Sequence, residues 1–398
     1  MSTKYLVLVG DGMGDYPLDS LSGKTPLEAA FTPNMDYIAS HGTMGLARTI
    51  PEGKEAGSDI ANLNIMGYDP NVYHTGRAPL EAPSMGIRLA DDDVAYRCNL
   101  VILSFEENGA IVMEDNAAGH ISNDAARRMI KIVERELGGG DIHFFPGVSY
   151  RHAMIWKNGR EDILSVPPHD KLGQEVGHYL TDEQLSTLNR LVRGSWPLFE
   201  EFRKENPDVQ ANSIWLWGQG RAPRLPSFQD KYGLTGGVIS AVDLLKGIGV
   251  YAGMKPIEVP GVTGFLDTNY AGKVEYALSN LEGMDFVYLH VEAPDEASHL
   301  GQTDLKVRAI EEFDRLVVGP ALEGLKRFDH FRILLITDHF TPITVRTHTV
   351  EPVPFVVYDS KNARLAASTV KLFTEAEAEK QKLFLDDATA VMDLLVAS

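Results

Sequence analysis

The chain holds a single cysteine, Cys98, among 398 residues, so no intrachain disulfide can form and a reducing cytoplasm is the expected location. No apolar run approaches the ~20 residues that a membrane-spanning helix needs. The amino-terminal stretch Tyr5-Leu6-Val7-Leu8-Val9 is too short for a signal peptide, and it runs straight into Gly10-Asp11-Gly12-Met13-Gly14-Asp15, which reads as part of a fold. Basic residues are scarce: 37 lysines and arginines stand against 56 acidic residues, a formal charge of −19. Counterion release needs a basic surface, so neither nucleic acid nor an anionic membrane is an expected partner. Internal repeats and low-complexity segments are missing, and so is the P-loop consensus Gly-x4-Gly-Lys-Ser/Thr, which removes one type of ATP site.

The length is too great for one ordinary core and sufficient for two domains. Lys4 to Val9, Phe286 to Val291 and Arg332 to Thr337 are near-continuous aliphatic and β-branched runs, the pattern of strands buried on both faces. Helical patterns lie between them: Thr25 to His41, opened by Thr25-Pro26 and stopped by Gly42, then about Lys273 to Asn280 and Leu305 to Phe328. This alternation predicts an α/β fold with a doubly wound, mainly parallel sheet. The middle of the chain differs. Short strands at Val94 to Ser104, Ala110 to Glu114, Asp141 to Phe145 and Tyr150 to Trp156 accompany helices at Asp124 to Leu137 and Thr181 to Lys204. Residues 92–215 are therefore expected to form a smaller α/β domain inserted into a core made of 1–91 and 216–398.

Acidic and histidine residues gather where three of the strands end. Asp11 follows the first strand, Asp295 and His299 follow the second, and Asp338-His339 follow the third, with His348 nine positions on. Ligands of open α/β sheets bind beyond the carboxyl ends of strands. Asp295 and His299 are four apart, so one helical turn puts them on the same face. Carboxylate with imidazole and no thiolate suits Mn, Zn or Mg rather than a structural zinc site. In Gly57-Ser58-Asp59, a serine enters a helix, where amide N–H groups favour an anion. By itself this is an N-cap serine; beside metal ions it is a candidate nucleophile. Trp217-Gly218-Gln219-Gly220-Arg221-Ala222-Pro223-Arg224 reads as a Gly/Pro loop carrying two arginines suited to phosphate or carboxylate. Arg151, Arg77, Lys231 and His120 are further candidates. An acidic protein that acts on phosphates needs such a local positive pocket.

These motifs together resemble the archaeal-type branch of the cofactor-independent phosphoglycerate mutases, in the alkaline phosphatase superfamily. The likeness runs through Asp-Gly-Met-Gly-Asp, Gly57-Ser58-Asp59 with Asn64-Ile65-Met66-Gly67, Gly76-Arg77, Pro294-Asp295 to His299, Thr337-Asp338-His339 and Thr347-His348. It implies one metal ion held by Asp11, Ser58, Asp338 and His339 and a second held by Asp295, His299 and His348. The ions would be Mn2+, with Mg2+, Zn2+ or Co2+ as alternatives, about 3.5–4 Å apart; no 2,3-bisphosphoglycerate would be needed. Ser58 would take the phosphoryl group of 3-phosphoglycerate and return it to the 2-hydroxyl of bound glycerate, with the inserted domain closing over the reaction. Arg221, Arg224, Arg151 and Arg77 would hold the substrate, and Lys231 would sit near the transferring group. The Gly-Arg-Asp motif of the bacterial mutases has no counterpart, which leaves His120 as the candidate for proton transfer. The same scaffold could serve a homoserine kinase, a phosphatase or a phosphopentomutase, and a catalytically silent metal-binding protein is a rival from another class.

Overall fold

The computed structural model describes residues 3–163, 165–362 and 372–397. The strands, in chain order, are β1 (Lys4–Gly10), β2 (Thr43–Ala47), β3 (Asp93–Phe105), β4 (Ile111–Asp115), β5 (Ile142–Val148), β6 (Arg151–Lys157), β7 (Ser213–Arg221), β8 (Gly236–Ile239), β9 (Lys255–Pro256), β10 (Phe286–Val291), β11 (Phe331–Thr337), β12 (Val353–Asp359) and β13 (Phe384–Leu385). The chain divides into two compact units, Met1–His74 with Arg224–Ser398, and Thr75–Pro223.

The first unit is an eight-stranded sheet in the order β13-β2-β12-β11-β1-β10-β8-β9. β1 pairs in parallel with both β10 and β11, while β12 runs antiparallel to its neighbours β11 and β2. Leu6, Leu8, Val287, Leu289, Ile333 and Leu335 are fully buried, as the apolar runs require. Because β1, β10 and β11 are adjacent and parallel, their carboxyl ends share one edge. Asp11, Glu292 and Asp338 are the residues that leave that edge.

The helical patterns are more broken than the sequence suggests. Thr25 to His41 is two helices, Pro26–Ala29 and Pro33–His41. Thr25 and Glu28 form a capping box on the first, and Pro33 separates the two by barring helical backbone at Thr32 (φ −127°, ψ 57°). Leu305 to Phe328 is broken into Thr303–Phe313, a π turn at Asp314–Val318, and Gly319–Leu325, and the helix stops three residues before Phe328. The Asp314 carboxylate accepts from Met35 N at 2.7 Å and Asn34 Nδ2 at 2.7 Å, which ties the π turn to the Pro33–His41 helix.

The second unit is an all-antiparallel five-stranded sheet in the order β4-β3-β6-β5, with β7 also paired to the long strand β3. The amphipathic helices Asn123–Leu137 and Ser186–Glu205 supply apolar residues to its core. The expected helix from Thr181 begins only at Ser186, after 3-10 turns. Two further expectations are corrected. Residues 75–91 and 216–223, assigned to the sheet unit by sequence, belong here, because Ala78, Ala82 and Ile87 form an apolar cluster with Ala95, Ala153 and Ile155. Trp217 to Arg221 is not a loop but the end of β7. Gly218, at φ +65°, lies where the register with β3 shifts between Ala95 and Arg97, so the strand absorbs its glycines as an irregularity.

The Glu375 side chain turns inward, accepting from Asp15 N at 3.3 Å and from the Thr25 hydroxyl at 2.9 Å. Burial pushes its carboxyl from 4.5 up to about 7. A group that holds its proton more tightly when folded favours folding below its unfolded pKa, and that contribution is lost as pH rises through the folded value. Glu375→Gln should therefore gain stability relative to wild type by roughly 1–3 kcal/mol between about pH 5 and pH 8. Urea unfolding across that range checks it, and a pH-independent difference would contradict an inward-facing, proton-holding Glu375.

Candidate active site

Ser58 opens the helix Ser58–Ile65, and Gly57, in extended backbone, is the N-cap. The serine hydroxyl is therefore not a cap; it lies 3.1 Å from His339 Nε2. Asn62, one turn on, donates both amide protons, one to Ser58 O at 2.9 Å and one to Asp338 Oδ2 at 2.8 Å, and it accepts from the Tyr288 hydroxyl at 2.6 Å.

Around this serine the structure gathers two groups of side chains that could each hold a metal ion: Asp11, Asp338 and His339, and Asp295, His299 and His348. In the first, His339 Nε2 is 3.4 Å from both Asp11 Oδ1 and Asp338 Oδ2. Gly12 N and His339 N both donate to Asp338 Oδ1, at 3.0 and 2.9 Å. In the second, the helix Ala293–His299 places His299 Nε2 3.0 Å from Asp295 Oδ2, and His348 Nε2 is 3.5 Å from Asp295 Oδ1. His299 Nδ1 donates to Arg346 O at 3.0 Å, since a carbonyl only accepts, which turns its Nε2 toward Asp295. That Nε2 faces His348 Nε2 at 3.2 Å. Two imidazole nitrogens and a carboxylate converging in this way offer three donor atoms to one cation.

The electrostatics agree. Asp11, Asp295 and Asp338 are all buried. Burial drives the Asp11 carboxyl well above the usual range, and the Asp338, Asp295 and Glu292 charges push it further. Asp338, which burial would raise, is held below its ordinary value by His339 and His290. Burial would likewise raise Asp295, but hydrogen bonds from His299 and His348 hold it well below the usual range. Asp11 Oδ1 is buried without a hydrogen-bond partner. An orphaned carboxylate oxygen among two further carboxylates fits a divalent cation, and the donor set is the borderline-hard one that Mn2+, Zn2+ or Mg2+ takes.

The other expected residues fall elsewhere. Lys231, in the helix Phe228–Tyr232, donates to Gly67 O and lies over the rings of Tyr68 and Tyr232, at 5.0 and 5.4 Å. Burial lowers its pKa. In the second unit Arg151 is exposed on β6, and His120 is exposed in a turn at φ +55°. Arg221 is engaged by Glu161 at 3.0 Å and Asp92 at 3.8 Å, while Arg224 is exposed and returns the chain to the first unit. Arg77 lies 3.8 Å from Glu81.

Three residues escaped the sequence reading. Arg97 on β3 is buried, 3.0 Å from the same Glu81 and 4.5 Å above the Trp217 ring, and burial lowers its pKa to about 10 against the pull of Glu81. One carboxylate thus faces two guanidinium groups, Arg77 and Arg97, a local excess of positive charge in the second unit. His290, fully buried on β10, has Nε2 3.0 Å from Asp11 Oδ2, and burial lowers its pKa to about 4. Thr341 is the third. Charged or polar residues inside otherwise apolar strands were the available signal for Arg97 and His290; Thr341 gave none.

Chemically these are two groups that could each grip a cation beside a serine hydroxyl at a helix start, an arrangement suited to phosphoryl transfer. Comparison with known proteins points the same way. A family model described as 2,3-bisphosphoglycerate-independent phosphoglycerate mutase matches residues 39–203. A protein of that name from Methanosarcina barkeri is 50% identical over 401 residues, covering 99% of this chain and 99% of its own. A "probable" enzyme of the same name from Geobacter sulfurreducens is 49% identical over 400 residues, with 99% of each chain covered. The solved cofactor-independent phosphoglycerate mutase of Thermoplasma acidophilum superposes with a TM-score of 0.65 at 27% identity, covering 99% of this chain and 98% of that one. The chain belongs to the 2,3-bisphosphoglycerate-independent phosphoglycerate mutases, and it is an enzyme acting on a small phosphorylated substrate. Among the described residues no helix is long and apolar enough to cross a membrane.

If the two groups hold separate ions, they should fail separately. Asp338→Ala should lose chiefly the ion beside Ser58 and His299→Ala chiefly the other, each variant retaining about one ion, with partial coupling through lost charge screening. Elemental analysis of the purified variants checks this; full occupancy in both would contradict the grouping.

Proposed function

We propose that the chain interconverts 3-phosphoglycerate and 2-phosphoglycerate by passing the phosphoryl group through Ser58, without 2,3-bisphosphoglycerate. The observation that carries this reading is the Ser58 hydroxyl. It has no capping duty, stands at the positive end of a helix, and lies 3.1 Å from an imidazole nitrogen of the Asp11, Asp338 and His339 group. Asp11, Ser58, Asp338 and His339 would hold one divalent ion, and Asp295, His299 and His348 the other, Mn2+ being the proposed metal with Mg2+, Zn2+ or Co2+ as alternatives. Bound there, the ions supply positive charge to the transferring oxygens and acidify the serine hydroxyl.

Ser58 Oγ attacks phosphorus in line as the bond to O3 breaks, and the serine proton ends on O3 of glycerate. The return step reverses this at O2: the 2-hydroxyl of glycerate attacks the phosphoserine, and Ser58 regains a proton. Glycerate must stay bound and turn between the two steps, which calls for cationic groups on its carboxylate. Arg77, Arg97, Arg151, Arg221 and Arg224 are proposed for that hold, with the Arg77 and Arg97 pair supported by the positive charge left over around Glu81. Lys231 is proposed to act on the phosphoryl group and His120 in proton transfer. A cytoplasmic location is proposed from the lone, buried Cys98. A homoserine kinase or a phosphatase on this scaffold finds no support in the names of the relatives.

Ser58→Ala should abolish transfer while leaving the fold intact, because it removes one hydroxyl from a half-buried helix start and no core volume. Brief exposure of the wild-type protein to 3-phosphoglycerate, followed by mass spectrometry, should find phosphate on Ser58. Phosphate on another residue, or a fully active alanine variant, would remove Ser58 as the nucleophile.

A further inference from the structure

Thr341 lies two residues past His339 and is fully buried. Its hydroxyl donates its one proton to Asp295 Oδ1 at 2.5 Å. With that proton committed, Thr341 Oγ accepts from His339 Nδ1–H at 3.1 Å. His339 belongs to one ligand group and Asp295 to the other. A single hydroxyl therefore touches both groups. It fixes the orientation of Asp295, and it places the proton of His339 on Nδ1 so that the Nε2 lone pair faces Ser58, Asp11 and Asp338.

We propose that Thr341 is a positioning residue that couples the two metal groups, held in place by the buried ammonium of Lys306; the proposal rests on the two-ion reading above. Lys306 is fully buried on the helix Thr303–Phe313, which follows the helix bearing Asp295 and His299. Its Nζ donates to Thr341 O at 3.0 Å, Gly14 O at 3.0 Å and Asp15 Oδ2 at 2.9 Å. Thr341 N in turn donates to Gly14 O at 3.1 Å, and Ile343 N to Asp15 Oδ2 at 3.1 Å. All three ammonium protons are thus spent on joining the loop after β1 to the segment after β11.

The coupled arrangement has little slack. Gly12, at φ +60°, passes so close that a Cβ there would lie 2.6 Å from both Asp295 Oδ1 and Thr341 Oγ. A larger residue would push directly on the shared hydroxyl bridge. Carboxylates and imidazoles rotate about their terminal bonds, and outer hydrogen bonds fix both the rotation and the tautomer. Loss of such partners typically lowers metal affinity by 10–100-fold. Because Thr341 serves a residue in each group, its loss should weaken both ions at once, unlike loss of a single ligand.

The test uses the full chain stripped of metal and titrated with MnCl2 alone. Thr341→Val keeps the side-chain shape but leaves His339 Nδ1–H without an acceptor and Asp295 Oδ1 without that donor. Its Mn2+ affinity, by calorimetry, should fall about 10–100-fold at both sites, while Thr341→Ser should stay within about threefold of wild type. The rise in Tm on adding MnCl2 should shrink in Thr341→Val and in Lys306→Met. A threonine with only a structural role would lower Tm equally with and without Mn2+ and leave the rise intact. That result, wild-type affinity in Thr341→Val, or a loss confined to one ion overturns the proposal. If Lys306→Met does not fold, the valine and serine variants still decide. A wild-type protein that binds fewer than two Mn2+ ions would instead overturn the two-ion reading.

Discussion

Three carboxylates, Asp11, Asp295 and Asp338, are buried together at the carboxyl-end edge of β1, β10 and β11. In a medium of low effective dielectric, like charges repel far more strongly than in water. Protonation and neighbouring imidazoles relieve part of this, which is why Asp11 is driven upward while Asp295 and Asp338 lean on His299, His348, His339 and His290. Divalent cations bound among them would relieve more of it. Because β10, β1 and β11 are adjacent and parallel, the three ligand loops leave the sheet side by side at one edge.

The −19 charge of the whole chain makes the handling of a phosphorylated anion a local matter. In the first unit the proposed ions turn an anionic pocket into an attractive one. In the second, positive charge is placed by a different device: Glu81 is shared by Arg77 and Arg97, and the Arg97 guanidinium stacks on Trp217. Burying an arginine beside one carboxylate and one aromatic ring holds its planar donors in a fixed attitude. Arg221, by contrast, has its charge largely answered by Glu161 and Asp92.

Much of the first unit was legible because its physics is repetitive. Strands buried on both faces must be apolar throughout, so Leu6 to Val9, Phe286 to Val291 and Ile333 to Ile336 stood out, and the acidic and histidine residues at their ends stood out against them. What could not be read depends on contacts distant in sequence. Nothing local distinguishes Thr341 from a surface threonine, or Lys306 from any lysine on an amphipathic helix; both matter only through the loops they meet. The glycines of Trp217 to Arg221 suggested a loop because strand glycines are uncommon, and only the pairing with β3 shows them absorbed at a register shift. The split at Pro33 was a local signal outweighed by a long helical pattern. The limits of the second unit were hidden because the short segment 75–91 carries no boundary composition of its own.

Hydrogen-bond accounting around Ser58 shows how a nucleophile can be held and still be free to react. Asn62 spends its two amide protons on Ser58 O and Asp338 Oδ2, and its carbonyl on Tyr288. The serine backbone is thereby tied to a metal-ligand candidate through a side chain whose two donor protons are both used. The cap belongs to Gly57, whose backbone alone serves it, so the serine hydroxyl is released from the task a serine at a helix start usually performs. With Thr341 placing the proton of His339 on Nδ1, the nitrogen facing Ser58 Oγ is an acceptor. The Ser58 hydroxyl, free of capping, faces that acceptor and the Asp11, Asp338 and His339 group, while the one proton of Thr341 goes to Asp295 and its oxygen keeps that acceptor in its required form.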